Sequence, residues 1–518
     1  VFTIGEGLAL NAQRYPDKPA VVMGDLSLTY AAFNARVNRA AAALAGLGVG
    51  RGSHVALLLA NGLPMAELQL ATAKLGAVAV PVNARLAPPE LAYVLAHSDS
   101  EVLVAEGELL DQLAKAGPAA ADVMPPRLRA VVCAGDGGPP GLPRYEALRD
   151  AASDAEPTAA VSGDDTWLIV YTSGTTGRPK GAVRSHKSNV LLALTFASDF
   201  GITADDRGLL LMPMFHVNSI WFLSLSLYLG ATCVIYPHRA FHPVRMVEEI
   251  VARDVTYSIF VPTMLGYLAD AGSRGALAGN RLRVILSSSA PLPSRLRDAV
   301  LAAFPAASLY EIYGSTEAGA VTNIRHRPGG AVGSVGHPGL AQRVRILGDD
   351  GTELPPSQVG EIYSLGPTLM DGYYKNEQAT RAAMRDGYLT VGDMGMKDAS
   401  GRVYVVDRKA DMIITMGENV YPTEVEDVIA RAPGVLHVAV VGVPDERRGE
   451  AVRAFVVARP DGPPPDPAEM QRLVREHLAD YKRPRSIEVV PELPLGPTGK
   501  VLRRAVRAPF WQGRERPI

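Results

Sequence analysis

Short apolar runs alternate with Ala-rich or amphipathic stretches along most of this chain, and that alternation restricts the fold more than any other feature. Residues 55–59, 78–82, 102–104 and 130–133 read as strands, and the pattern returns at 168–170, 257–261 and 284–286. Strands that alternate with helices build parallel sheets covered by helices on both faces. A chain of 518 residues is too long for one ordinary core and implies two or more domains. Residues 217–236 carry no charge, yet Asn218, Ser219, Ser224, Ser226 and Gly230 interrupt them. The expectation there is a buried helix, a glycine stop and a central strand over 231–236, and no membrane span.

The character changes after Gly330, where strands such as 344–347 and 360–363 are separated by Gly and Pro turns. This predicts a small antiparallel β subdomain. Beyond Asp407 comes a helix near 423–432, strands at 437–443 and 452–458, and a helix near 468–481, which together read as a compact α+β domain. The glycines Gly46, Gly48 and Gly50 follow a helix and precede a strand, the reverse of the order a dinucleotide fingerprint needs. Gly135 to Pro140 is made of turn formers and reads as a surface loop.

Fifty-two Lys and Arg against 54 Asp and Glu leave a net charge of −2. No excess field exists to draw in a nucleic acid, so any phosphate must be bound by local placement of donors. Two cysteines, Cys133 and Cys233, each in an apolar stretch, argue for a reducing compartment such as the cytoplasm and against a disulfide framework. The opening residues carry an acid and no basic leader, unlike a secretory signal.

One loop carries the chemistry. The strand 167–171 runs into Thr172, Ser173, Gly174, Thr175, Thr176, Gly177, Arg178, Pro179 and Lys180. Small hydroxyls, unencumbered backbone N–H groups and a terminal lysine can close on phosphate oxygens without steric conflict. The spacing from Gly174 does not fit a Walker loop.

This loop resembles the phosphate-binding loop of the adenylate-forming superfamily, which comprises acyl-CoA synthetases, adenylation domains and luciferases. Further motifs follow in the family's order. They are Tyr313-Gly314-Ser315-Thr316-Glu317; Gly392-Asp393 after residues 388–391; Asp407-Arg408-Lys409-Ala410-Asp411 leading to Gly417; and Pro497-Thr498-Gly499-Lys500. The resemblance spans essentially the whole chain and lies closest to the AMP-forming acyl-CoA synthetases. It implies an α/β N-terminal domain over 1–407 that binds ATP and the acyl substrate. A mobile C-terminal domain over 411–518 would carry Lys500, with a hinge near 408–410.

The resemblance also implies roles. Attack of a carboxylate on the α-phosphate of ATP brings two anions together, so charge must be neutralised and oxygens aligned. Glu317 suits Mg2+, a hard cation that takes carboxylate oxygen, and Thr316 can donate to the α-phosphate beside Lys180. Asp393 would accept the ribose hydroxyls and Arg408 would donate to the ribose or phosphate side. Ser289, Ala290 and Pro291 resemble the segment lying along adenine, and Glu311 to Tyr313 would flank the base on its other side. His216, Val217, Trp221 and Gly314 would line the acyl pocket. Gly417 would let the pantetheine arm of coenzyme A pass, and Lys500 would bridge the substrate carboxylate and the α-phosphate. Two positions depart from the family: Ala410 stands where the hinge usually carries Asp or Lys, and Met416 stands where many relatives have Gly.

The reading is an ATP-dependent, AMP-forming acyl-CoA synthetase with ATP, Mg2+ and CoA as cofactor and co-substrates. The alternative is a stand-alone adenylation enzyme that loads a carrier protein. A non-catalytic ligand-binding protein is expected to lack Lys500, Glu317 or Asp393, and all are present. Residues 217–223 hold no basic group for a second carboxylate, so a hydrophobic monocarboxylic acid, fatty or aryl, is the expected substrate. Oligomeric state cannot be read from these patterns.

Overall fold

Val, Ile and Leu cluster in the short strands because each strand is covered on both faces, and the intervening helices supply the cover. The computed structural model describes residues 3–86, 88–115, 127–172, 179–330, 333–415, 418–445, 447–496 and 501–512. Of the candidate site residues, Ser173, Gly174, Thr175, Thr176, Gly177, Gly417 and Lys500 lie outside them. The chain divides into two compact units: residues 1–332, 338–343 and 364–389 form one, and residues 333–337, 344–363 and 390–518 form the other.

The first unit contains two doubly wound sheets. In one, the strands Arg207–Leu210, Thr232–Ile235, Tyr257–Phe260, Val284–Ser287 and Ser308–Ser315 run parallel. An antiparallel strand, Gly319–Arg325, follows at one end of that series. In the other, Ala130–Ala134, Val102–Glu106, His54–Leu58, Val78–Pro81 and Thr166–Thr172 are parallel, followed by antiparallel Lys180–Ser185 and Gly372–Tyr373. The expected helix over the uncharged segment is present as Val217–Leu229. It ends on Gly230 at φ 81° and leads into the strand Thr232–Ile235.

Helices Tyr30–Gly46, Leu63–Leu75, His186–Phe200 and Val217–Leu229 share one core with the facing sides of both sheets. Separate apolar clusters cover the outer faces, one under helices Pro243–Ala252 and Pro262–Ser273, the other under Pro88–His97. The layering is therefore helix, sheet, helix, sheet, helix. Helix Leu63–Leu75, which is buried on every side, has no amphipathic pattern because it lies between sheets.

The second unit holds residues 360–363 of the strand Gly360–Leu365 and the antiparallel strands Asp393–Lys397 and Val403–Arg408, in line with the expected β subdomain. It also holds a sheet built on the long hairpin Val435–Asp445 and Gly449–Ala458, with Ser486–Val490 parallel to the second strand. Helices Pro422–Ile429 and Pro467–His477 pack on one face of that sheet, and the segment around Val506 and Phe510 packs on the other. The expected helix to residue 481 stops at His477, and a single 3-10 turn over Asp480–Lys482 follows. No helix among the described residues is long and apolar enough to cross a membrane. Cys133 and Cys233 are free and buried.

Candidate active site

Two hairpin tips carry candidate site residues in the first unit. The strands Thr166–Thr172 and Lys180–Ser185 pair antiparallel with Thr172 opposite Lys180, so both ends of the phosphate-loop segment are fixed by ladder register. The second tip joins Ser308–Ser315 to Gly319–Arg325, and the motif residues Thr316, Glu317 and Ala318 are its loop. Gly319 has φ 79°, the left-handed glycine that closes a three-residue hairpin loop. Gly314 sits at a register shift, where a Cβ would come 2.1 Å from the carbonyl oxygen of Gly319. Its lack of a side chain therefore answers to the neighbouring backbone.

Glu317 is buried, and its Oε1 accepts two hydroxyl hydrogen bonds, from Thr172 at 3.2 Å and from Tyr373 at 3.1 Å. The Lys180 ammonium lies 5.0 Å from the centre of the Tyr373 ring, in cation–π range. Lys180 and Glu317, far apart in sequence, thus meet on one tyrosine that the sequence reading missed, and Thr172 shares its carboxylate partner. The only signal for it was an aromatic pair, Tyr373 and Tyr374, following a glycine at φ 144° whose conformation no sequence displays. Thr316 is half-buried at the same tip.

The segment Ser289 to Pro291, expected to lie along adenine, is held from two sides. Ser289 adopts φ 73°, a left-handed conformation that a serine rarely takes, and its Oγ accepts a hydrogen bond from Asn218 Nδ2 at 2.9 Å. Glu311 Oε1 accepts the Leu292 N–H at 3.0 Å, and its Oε2 lies 3.0 Å from His326 Nε2. Glu311 therefore ties the segment after Pro291 to the strand Ser308–Ser315, which carries Tyr313. Ala290 is half-buried and Pro291 exposed.

His216 caps the buried helix Val217–Leu229, and its Nδ1 accepts the Asn218 N–H at 3.4 Å. Burial pushes its pKa down to about 4, which keeps the ring neutral and able to accept. Val217 and Trp221 are both buried. The sequence reading expected an uncharged wall here. The segment itself is uncharged, but the guanidinium of Arg184 stacks 5.1 Å from the centre of the Trp221 ring. Its source, a different strand, made it invisible in the local sequence.

In the second unit, Asp393 and Arg408 are cross-strand partners, with Arg408 Nε 3.2 Å from Asp393 Oδ1. The segment 407–411 is fastened at several points. Asp407 accepts hydrogen bonds from the Thr423 N–H at 2.8 Å and from Arg503 at 3.0 Å, and the Ala410 carbonyl accepts one from Arg507 at 3.1 Å. The ends of the lysine loop are drawn together by a bridge between Leu495 and Val501 and by a bond from Leu502 N to Pro494 O at 2.8 Å.

A doubly wound body that sets a lysine, hydroxyls and an acid around adjoining hairpin tips defines an adenylate-forming enzyme. The chain belongs to the AMP-binding enzyme family: the family's profile matches residues 8–374, and the profile of the AMP-binding enzyme C-terminal domain matches residues 424–500. It is 36% identical over 510 residues to a feruloyl-CoA synthase of Amycolatopsis sp, covering 98% of this chain and 99% of that protein. It is 35% identical over 498 residues to the long-chain-fatty-acid–CoA ligase FadD13 of Mycobacterium tuberculosis, covering 94% of each. Among solved structures it resembles ATP-bound MatB from Rhodopseudomonas palustris, with TM-score 0.86 and 30% identity over 97% of this chain and 99% of that one.

Proposed function

We propose that this protein is an AMP-forming carboxylate–CoA ligase for a hydrophobic monocarboxylic acid, fatty or aryl, acting in the cytoplasm. The observation that carries the reading is the convergence of the Thr172 and Tyr373 hydroxyls on the Glu317 carboxylate, with the Lys180 ammonium over the Tyr373 ring. In the first step a carboxylate oxygen of the acid attacks the α-phosphorus of ATP, and pyrophosphate leaves with the electrons of the broken P–O bond. In the second, the CoA thiolate attacks the acyl carbon, and AMP leaves as the thioester forms.

Positive charge at Lys180 and hydroxyls at Thr172 and Thr316 suit a bound polyphosphate whose charge shifts during the first step. Glu317 fits Mg2+, because two neutral hydroxyls satisfy Oε1 without cancelling the carboxylate's charge. The ion would neutralise phosphate charge. Asp393 and Arg408 are the proposed ribose-side residues, Ser289 to Pro291 the adenine segment, Gly417 the passage for pantetheine, and Lys500 the adenylating lysine. The proposed domains meet at 408–410 and rotate there between the two steps. Neutral His216 beside buried Val217 supports an uncharged acyl group, and the guanidinium stacked on Trp221 is engaged by the Thr316 and Thr368 carbonyls.

The test is a pyrophosphate-release screen over acids from acetate to palmitate, with benzoates, cinnamates and malonate, followed by thioester detection with CoA. The expected best substrates are long-chain or aryl monocarboxylates. Preference for malonate sinks the substrate class, and pyrophosphate release without any CoA thioester sinks the acceptor.

A further inference from the structure

Arg184 is the most anomalous side chain in the first unit. It is fully buried in the strand Lys180–Ser185, and among the described residues no carboxylate lies within ion-pairing distance of it. Its Nη1 donates to the carbonyl of Thr316 and its Nη2 to the carbonyl of Thr368, both at 2.8 Å, while its Nε has no partner among the described residues. A buried charge without a counter-ion is a poor stabiliser, and apolar residues of similar volume commonly serve a core as well or better. Burial pushes its pKa below the usual guanidinium value, and the more distant carboxylates of Asp371 and Glu317 only partly offset that.

What Arg184 holds is specific. Three consecutive carbonyls at the hairpin tip each accept one hydrogen bond, from one residue that precedes the tip in sequence and two that follow it. Arg184 takes Thr316 O, the Met370 N–H takes Glu317 O at 2.7 Å, and the Thr368 hydroxyl takes Ala318 O at 2.9 Å. Arg184 also binds the Thr368 carbonyl, so its two arms join both sides of this row. The tip is thereby fixed through its backbone, while the Glu317 side chain reaches Thr172 and Tyr373.

We propose that Arg184 is a positioning residue for adenylation, fixing the Thr316 carbonyl so that the Thr316 hydroxyl and the Glu317 carboxylate keep their reactive placement. This rests on the ATP-handling role proposed for Thr316 and Glu317. Displacement of reacting groups by an ångström can cost about 10²-fold in rate, so one guanidinium behind the tip has ample leverage.

The test compares Arg184→Met and Arg184→Lys with the parent in the full chain, using the best acid of the screen. Arg184→Met should lower kcat for pyrophosphate release by about 10²-fold while the KM of the acid changes less than about threefold. Arg184→Lys, which keeps a charge and can reach one carbonyl, should recover part of the loss. Amide hydrogen exchange at residues 316–319 should quicken in Arg184→Met while exchange in the strand Val284–Ser287 stays as in the parent. Unchanged exchange at the tip overturns the proposal whatever the enzyme's substrate, and so does faster exchange with parental kcat. A parent that releases no pyrophosphate with any acid sinks the proposed function instead, and the exchange experiment still judges Arg184. If Arg184→Met does not fold, Thr368→Val removes the next donor in the row and should give the same pattern more weakly; parental kcat and exchange in Thr368→Val would then overturn the proposal.

Discussion

The Thr172 hydroxyl donates to Glu317 Oε1 at 3.2 Å across 145 residues of sequence, and the bond joins the last residue of one strand to the loop of a distant hairpin. Because the donor is neutral, it places the carboxylate without neutralising it. A lysine in the same position would have formed an ion pair and left less attraction for a cation.

That relationship predicts a graded response. Glu317→Gln keeps the shape and removes the charge, and should lower adenylation by about 10²–10³-fold. Thr172→Val and Tyr373→Phe each remove one neutral hydrogen bond and should cost about fivefold. Pyrophosphate release titrated with Mg2+ checks this, with Glu317→Gln needing more Mg2+ than the two milder variants. Parental activity in Glu317→Gln would rule out the metal role.

His186 predicts a pH dependence of stability. It is fully buried, stacks on Trp167, and burial pushes its pKa down to about 4 from 6.5. The unfolded chain therefore binds a proton more readily than the folded one between pH 6.5 and 4, and stability rises with pH across that window. The penalty is absent above pH 6.5 and grows as pH falls, reaching roughly 3 kcal/mol near pH 4. His216 shifts in the same direction. Urea melts from pH 4 to pH 7 should show a shallower slope for His186→Gln than for the parent. An identical slope would mean that the ring is charged in the folded protein.

Ser289 and Asn218 predict a suppressor. A left-handed serine costs about 1–2 kcal/mol relative to ordinary backbone, and the Asn218 amide is the group that holds it there. Asn218→Leu should raise the KM for ATP by about fivefold. Adding Ser289→Gly should restore it, because glycine takes positive φ without penalty. A double variant no better than Asn218→Leu would show that the strain is not what Asn218 opposes.

The sequence made the layered fold legible because each strand is a short apolar run between helices, as at 55–59 and 284–286, and that pattern needs no tertiary information. Thr172, Lys180 and Glu317 were legible as motif residues with reactive side chains. Tyr373 and Arg184 were not. Their roles depend on which carbonyl or carboxylate they meet, and the partners lie 56 residues away for Tyr373 and 132 and 184 away for Arg184. The absence of a charged side chain at Ala410 was visible in sequence. The arginines that fasten the same segment, Arg503 and Arg507, lie nearly a hundred residues on and reach it only through the fold.

The segment around Ala410 carries the last prediction. Arg408 O accepts bonds from Asp411 N at 2.9 Å and Met412 N at 3.1 Å, so residues 408–411 form a turn with Ala410 in its third position. Proline is disfavoured there, since it forces the preceding residue out of the helical region. Lys409 cannot yield freely, because its N–H donates to Gly392 O at 2.8 Å. Ala410→Pro should therefore disturb this turn and favour whichever arrangement tolerates a fixed φ of about −65°. An enzyme that rotates at 408–410 between its two steps would then keep one step and lose the other. The expectation is retained adenylation and slower thioester formation. Ala410→Asp, which places a charge at residue 410, should change the balance only modestly. Lys500→Ala is the opposite control: adenylation should fall by about 10²–10³-fold while thioester formation from pre-made acyl-adenylate survives. Rapid-quench measurement of acyl-adenylate and thioester in both variants decides the matter, and parental rates for both steps in Ala410→Pro would show that rotation at this turn is no part of the cycle.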